Sequence, residues 1–142
     1  MRRMVAIAMM MLAAQVFAHE HKAPHGGTLV EFGEEFAHLE IVLDKDGTMT
    51  AYALDGEAEN PVRLAQKEIG INLVGGGAPI VLKAVASPLS GEKEGDTSQF
   101  SGKDAQLAGK TAFDASVAAL TIKGKEFKDV KFNFPKGNED KK

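Results

Sequence analysis

The apolar positions of this chain fall in short runs with a period of two. Leu39, Ile41 and Leu43 alternate with His38, Glu40 and Val42, and Val130, Phe132 and Phe134 alternate with Lys131 and Asn133. A strand points successive side chains to opposite faces, so this alternation predicts half-buried strands. Further β-prone runs span 28–32, 36–43, 48–54, 62–64, 68–74, 79–85, 99–100, 115–122 and 126–134, separated by Gly, Pro and Asp-rich breaks. Asp46-Gly47 is a strong signal for a two-residue hairpin turn. That turn predicts a register with Leu43 facing Thr50, Ile41 facing Tyr52 and Leu39 facing Leu54. Phe127 is out of step with Val130, Phe132 and Phe134, which predicts a bulge near Lys128-Asp129. Residues 103–108 suit a turn or two of helix with Ser101 as its cap.

About seven short strands with turn signals every 8–12 residues or so predict an all-β fold. The expected architecture is a single antiparallel β-sandwich of immunoglobulin-like size. Gly75-Gly76-Gly77 is a hairpin break and not a phosphate loop, because no Lys-Ser/Thr follows and a strand, not a helix, comes next.

The start of the chain has a different character. Arg2 and Arg3 precede an apolar run from Val5 to Leu12, and Val16-Phe17-Ala18 closes it. This is the pattern of a secretory signal peptide, residues 1–18, with a run too short to span a bilayer. The predicted organisation continues with a His-rich flexible segment 19–27, a β-domain 28–135 and a charged tail 136–142. The expected location is periplasmic or secreted, with no membrane insertion once the signal is removed. There is no cysteine, which excludes a disulfide framework and thiolate chemistry. Removing Arg2 and Arg3 from 17 basic residues leaves 15 against 20 acidic, a net charge of −5. An acidic surface of this size argues against nucleic acid as a partner.

Candidate chemistry lies in the histidines. Three of the four fall within Ala18-His-Glu-His-Lys-Ala-Pro-His-Gly-Gly27, and the fourth is His38. Neutral imidazole is a common ligand for zinc, copper and nickel. Three geometries are open. A chain starting at His19 has its α-amine, two amides and His21 available for square-planar Cu(II) or Ni(II). Alternatively, Gly26-Gly27 lets His25 fold over the strand face that carries His38 and Glu40, and His19 or His21 completes a zinc- or copper-type set. The third is a copper brace at His19, which would make the protein an oxidative enzyme, but a chain with no Trp and one Tyr offers little surface for sugar stacking. Against all three stands a solvated tail, with His38 an exposed strand residue beside Glu40. Candidate metal ligands are therefore His19, His21, His25, His38 and Glu40, and no organic cofactor is expected. Metal affinity carried by imidazoles should fall below about pH 6.

Other chemistries find less support. One imidazole inside the domain and no nucleophile motif leave no basis for a hydrolase triad. Asp44-Lys45-Asp46-Gly47 opens like a calcium loop but lacks the remaining ligands.

Several positions together are similar to a known group. Pro24-His25-Gly26-Gly27, Leu29, Glu31, Gly33, Glu35 and His38-x-Glu40, with Tyr52-x-Leu54-Asp55-Gly56 and Ser98-Gln99-Phe100, resemble small uncharacterised exported bacterial proteins with His-rich mature N-termini. The His-Gly-Gly opening is also similar to the periplasmic N-terminal segment of some heavy-metal efflux adaptors of the membrane-fusion type, whose helical and lipoyl-like parts are absent here. The resemblance implies a periplasmic β-domain that handles a transition metal near an efflux system, with His25, His38 and Glu40 as the positions carried over. The expected function is an exported metal-binding accessory protein: a buffer, a chaperone or an efflux-associated factor. The competing expectation is a structural or protein-interaction module.

Overall fold

A computed structural model describes residues 21–139. Eight antiparallel strands make up almost all of its regular structure: β1 (Thr28–Phe32), β2 (Ala37–Leu43), β3 (Thr48–Leu54), β4 (Glu68–Leu73), β5 (Ile80–Ala84), β6 (Gln99–Lys103), β7 (Phe113–Ile122) and β8 (Lys125–Phe134). The all-β antiparallel fold expected from the two-residue period is the fold of the protein. The strands form one sheet in the order β1-β2-β3-β6-β5-β4-β7-β8, folded on itself so that the edge strands β1 and β8 come together. The Phe32 and Phe127 rings meet edge to face across that seam, 5.6 Å between centroids. No helix among the described residues is long and apolar enough to cross a membrane.

The inward faces build one core. Val30, Phe32, Leu39, Ile41, Met49, Ile69, Ile71, Ile80, Leu82, Phe100, Leu120 and Ile122 are all fully buried there or within 1% of it. Removing this apolar surface from water is the main force holding a chain without disulfides together.

Three local expectations are corrected. The β2–β3 register is one residue off the expected one: Leu43 faces Met49, Ile41 faces Ala51, Leu39 faces Ala53 and Glu40 faces Tyr52. The turn has three residues, not two. Gly47 N–H donates to the Asp44 carbonyl at 3.1 Å, Asp44 N–H to the Thr48 carbonyl at 2.9 Å, and Gly47 sits at φ 92°. This is a type I turn followed by a left-handed glycine, the usual three-residue hairpin loop. The slip moves Tyr52 from the core face to the outer face, beside Glu40.

The second correction concerns β7 and β8. Both strands change their inward face together. Val117 and Leu120 are both buried although three apart, and the pairing Val117–Val130 continues as Ala119–Lys128 without an added residue. Asp129, at φ 52°, is the point of the break, so a matched kink replaces the expected bulge. Third, the helical piece is a single 3₁₀ turn, Ala105–Leu107. Its cap is Asp104, whose carboxylate accepts from Gln106 N–H at 2.9 Å, while Ser101 lies inside β6.

Asp46 makes the hairpin pH-sensitive. Thr48 N–H donates to its Oδ1 at 2.9 Å, and this bond, with a smaller contribution from Lys103, holds its carboxyl below the ordinary 3.8. A carboxyl depressed by folding stabilises the fold above its unfolded pKa, and the benefit is lost as pH falls through the folded value. The Asp46→Ala variant should therefore denature at lower urea than the parent at neutral pH, with the gap narrowing as pH drops below 3.8. An equal gap from pH 7 to pH 2.5 or so would remove the carboxylate from the account.

Candidate metal centre

On the outer face of β2 the sequence places His38 and Glu40, two apart and on one side. An outer strand face is ordinarily wet, yet both residues are fully buried. Two chain segments cover them: residues 21–27 ahead of β1, and residues 135–139 after β8.

The first segment is anchored by Glu40. Its Oε2 accepts from the N–H groups of His25 and Gly27, both at 2.8 Å, and its Oε1 lies 2.7 Å from His25 Nδ1. The His25 ring stacks on Tyr52 at 3.8 Å between centroids, 9° from parallel. This arrangement accounts for each residue of Pro-His-Gly-Gly. Pro24 suits the second position of the turn closed by Gly26 N–H to the Ala23 carbonyl, 3.1 Å. Gly26 takes φ 70°. A Cβ on Gly27 would stand 2.5 Å from the Ile41 carbonyl oxygen, so only glycine lets the segment lie this close to β2.

His38 faces a different set of partners. Its Nδ1 is 3.1 Å from the Asp55 carbonyl oxygen, which can only accept. Nδ1 therefore carries the proton, and a neutral ring presents its lone pair at Nε2. That Nε2 is 3.3 Å from Glu139 Oε1, on the second covering segment. The His21 ring stands 5.0 Å away, tilted by 67°. One donor atom each from His21, His38 and Glu139 lie within 4.8 Å of one another.

The His21 Nε2 atom is buried and has no hydrogen-bond partner among the described residues. Glu35 Oε1 is the nearest carboxylate oxygen outside the trio, at 3.6 Å, beyond hydrogen-bonding reach. A buried polar atom left unpaired costs about 1–3 kcal/mol. Three potential lone-pair donors thus lie close together, and among the described residues His21 Nε2 has no hydrogen-bond partner.

The Asp55 carbonyl is held by its own turn. Asp55 accepts from Glu59 N–H, Asn60 N–H and Asn60 Nδ2 through its carboxylate at 3.0, 3.3 and 2.9 Å. Slight burial raises its pKa, the hydrogen bonds lower it more, and the net direction is downward. A Cβ on the next residue, Gly56, would stand 2.2 Å from the Glu35 carbonyl oxygen, so this turn also depends on a glycine to reach the site.

The histidines and Glu40 named from the sequence thus divide into two groups. His25 and Glu40 are bonded to each other, with Tyr52 beneath. His21 and His38 meet Glu139. His19 lies outside the described residues, as does the expected signal segment. Glu139 was the residue sequence reasoning did not find: it is 101 positions from His38, in a charged run with no periodicity. The turn-forming Pro135 and Gly137 before it were the available hint.

No family model, curated protein or solved structure matches this chain significantly.

Proposed function

We propose that this protein is an exported transition-metal-binding accessory protein, a buffer, chaperone or efflux-associated factor, that holds a divalent ion between His21, His38 and Glu139. The observations that carry this reading are the buried His21 Nε2, unpartnered among the described residues, and the approach of one ligand atom each of His21, His38 and Glu139 to within 4.8 Å. An imidazolium–carboxylate pair between His38 and Glu139 would satisfy those two groups and leave His21 orphaned. A metal ion satisfies all three. Two imidazoles and a carboxylate are a borderline donor set that suits zinc, copper or nickel. His38 has the arrangement usual for a ligating histidine, with the far ring nitrogen donating to a backbone carbonyl. Donors around zinc at about 2.0–2.1 Å stand roughly 3.3 Å apart, so the trio needs a contraction of about 1.5 Å at most. Export, and the resemblance to His-rich exported proteins, belong to the same proposal. They rest on Arg2-Arg3, the apolar run and the Pro-His-Gly-Gly opening.

The test is calorimetric titration of the purified protein with Zn(II), Cu(II) and Ni(II), alongside His21→Ala and Glu139→Gln. Zinc separates this site from chelation by a free His-containing N-terminus, which favours copper and nickel. Zinc binding that weakens about tenfold or more in each variant is expected. No zinc uptake by the parent, or equal uptake by both variants, would leave a protein-interaction module as the better reading.

A further inference from the structure

The proposed centre depends on a segment that reaches it from the far end of the chain, and the structure shows how that segment is held. Thr28 Oγ1 donates to the Pro135 carbonyl at 3.0 Å. Gly137 and Asn133 exchange backbone hydrogen bonds, which reverses the chain after β8. A Cβ on Gly137 would stand 2.3 Å from the Leu29 carbonyl oxygen, so the turn lies directly against β1.

The next residue makes the decisive contact. Asn138 Oδ1 accepts from Glu31 N–H at 2.7 Å, and Asn138 Nδ2 donates to the Glu31 carbonyl at 2.9 Å. One side-chain amide thereby satisfies both backbone groups of an edge-strand residue, as a neighbouring strand would. Glu31 is also the β1 residue that pairs across the ladder with His38. An amide clamped at Glu31 therefore sets the residue after it, Glu139, at the level of His38.

We propose that Asn138 is the positioning residue of the metal centre, and that docking of residues 135–139 on the edge of β1 and binding of the ion are one coupled equilibrium. The proposal rests on the metal reading above. Asn138 itself makes no contact with the ion. With the segment docked, three donors are present. With it released, Glu139 leaves, and the two imidazoles that remain are too few to hold the ion tightly. The apparent dissociation constant then equals the intrinsic one divided by the docked fraction. Conversely, an ion that binds only the docked form pulls the segment onto β1. Loading and release of metal in an accessory protein would thus run through this strap.

Two measurements on the whole protein test this. The first is zinc affinity of Asn138→Ala against the parent, with the melting temperature of each metal-free protein recorded. The second is hydrogen exchange of the Glu31 amide in the parent, with and without zinc. The expected results are zinc binding roughly tenfold weaker in the variant, and slower Glu31 exchange in zinc-bound parent. Unchanged zinc affinity in a folded Asn138→Ala protein would overturn the coupling and leave the metal reading standing. So would Glu31 exchange indifferent to zinc in a parent that binds it, a result available even if the variant does not fold. A parent that takes up no zinc would overturn both.

Discussion

His38→Ala is expected to abolish zinc binding, with affinity reduced at least about 100-fold. The basis is the burial and contacts of His38: it is the only fully buried member of the trio, its Nε2 is 3.3 Å from Glu139 Oε1, and the His21 ring stands 5.0 Å from its own. Changing a residue that merely orients a ligand typically costs 10–100-fold in metal affinity, so removal of a ligand should cost more. The same variant removes one of the two hydrogen bonds to the Asp55 carbonyl, which keeps the Ala58 N–H, and opens a void under both covering segments, so a loss of stability is expected as well. His38→Gln separates the two effects, because an amide can still donate towards Asp55 while being a poor ligand for zinc. The parent, both variants and a competing chelator of known affinity make the measurement. Zinc affinity in His38→Gln within about threefold of the parent would show that the imidazole is not a ligand, since a lost ligand should cost more than a lost orienting group.

Glu40→Ala is expected to lower stability by about 3 kcal/mol, the order found when a buried charged acceptor is removed from its donors. For a domain of this size that corresponds to a melting temperature lower by about 10 °C. The buried carboxylate collects the His25 and Gly27 N–H groups and His25 Nδ1, and without it all three lose their acceptor. The first covering segment should then leave β2, taking His21 from the centre, so zinc affinity falls too. Glu40→Gln is the more telling variant. An amide oxygen can still accept from the two N–H groups, so an anchoring role predicts zinc affinity within a few-fold of the parent. Affinity as low in Glu40→Gln as in His38→Ala would make Glu40 a ligand, in the mixed site that its spacing from His38 suggested. Thermal melting and zinc titration of the same samples distinguish these outcomes.

The contrast between these two residues shows how far periodicity reads a site. His38 and Glu40 share a face because they are two apart on a strand, and the alternation of Leu39 and Ile41 shows which face. That much is local. What each one touches is set by segments 13 to 101 residues away. The Asp46-Gly47 turn illustrates the limit on a smaller scale. A hairpin was legible, but a loop of three residues in place of two moved Tyr52 across the sheet and under His25. A one-residue difference in turn geometry is nearly invisible in composition and reverses the face of a whole strand.

Some of the positions quoted for the resemblance gain a physical account. Pro24, Gly26 and Gly27 form and seat a turn, Tyr52 supports the His25 ring, Asp55 orients His38 and Gly56 passes against the backbone of Glu35. Of these, Asp55 bonds to a residue of the candidate centre, and the others contact other residues of the chain.

The sequence by itself determined the all-β antiparallel class, most strand positions to within two residues, the apolar face of β2 and the concentration of imidazole near one end, whereas 62–64 is no strand and β6 runs three residues further than expected. The former follow from the two-residue period and from turn chemistry, which act between near neighbours. Only the tertiary structure decided that the outer face of β2 is buried, that Glu40 is occupied by His25 and Gly27, and that Glu139 meets His21 and His38. The physical reason is that closing the sheet brings β1 against β8 and so carries residues 135–139 to residues 21–27. A contact made by closure depends on the summed twist and register of eight strands, and no short stretch of sequence contains that sum.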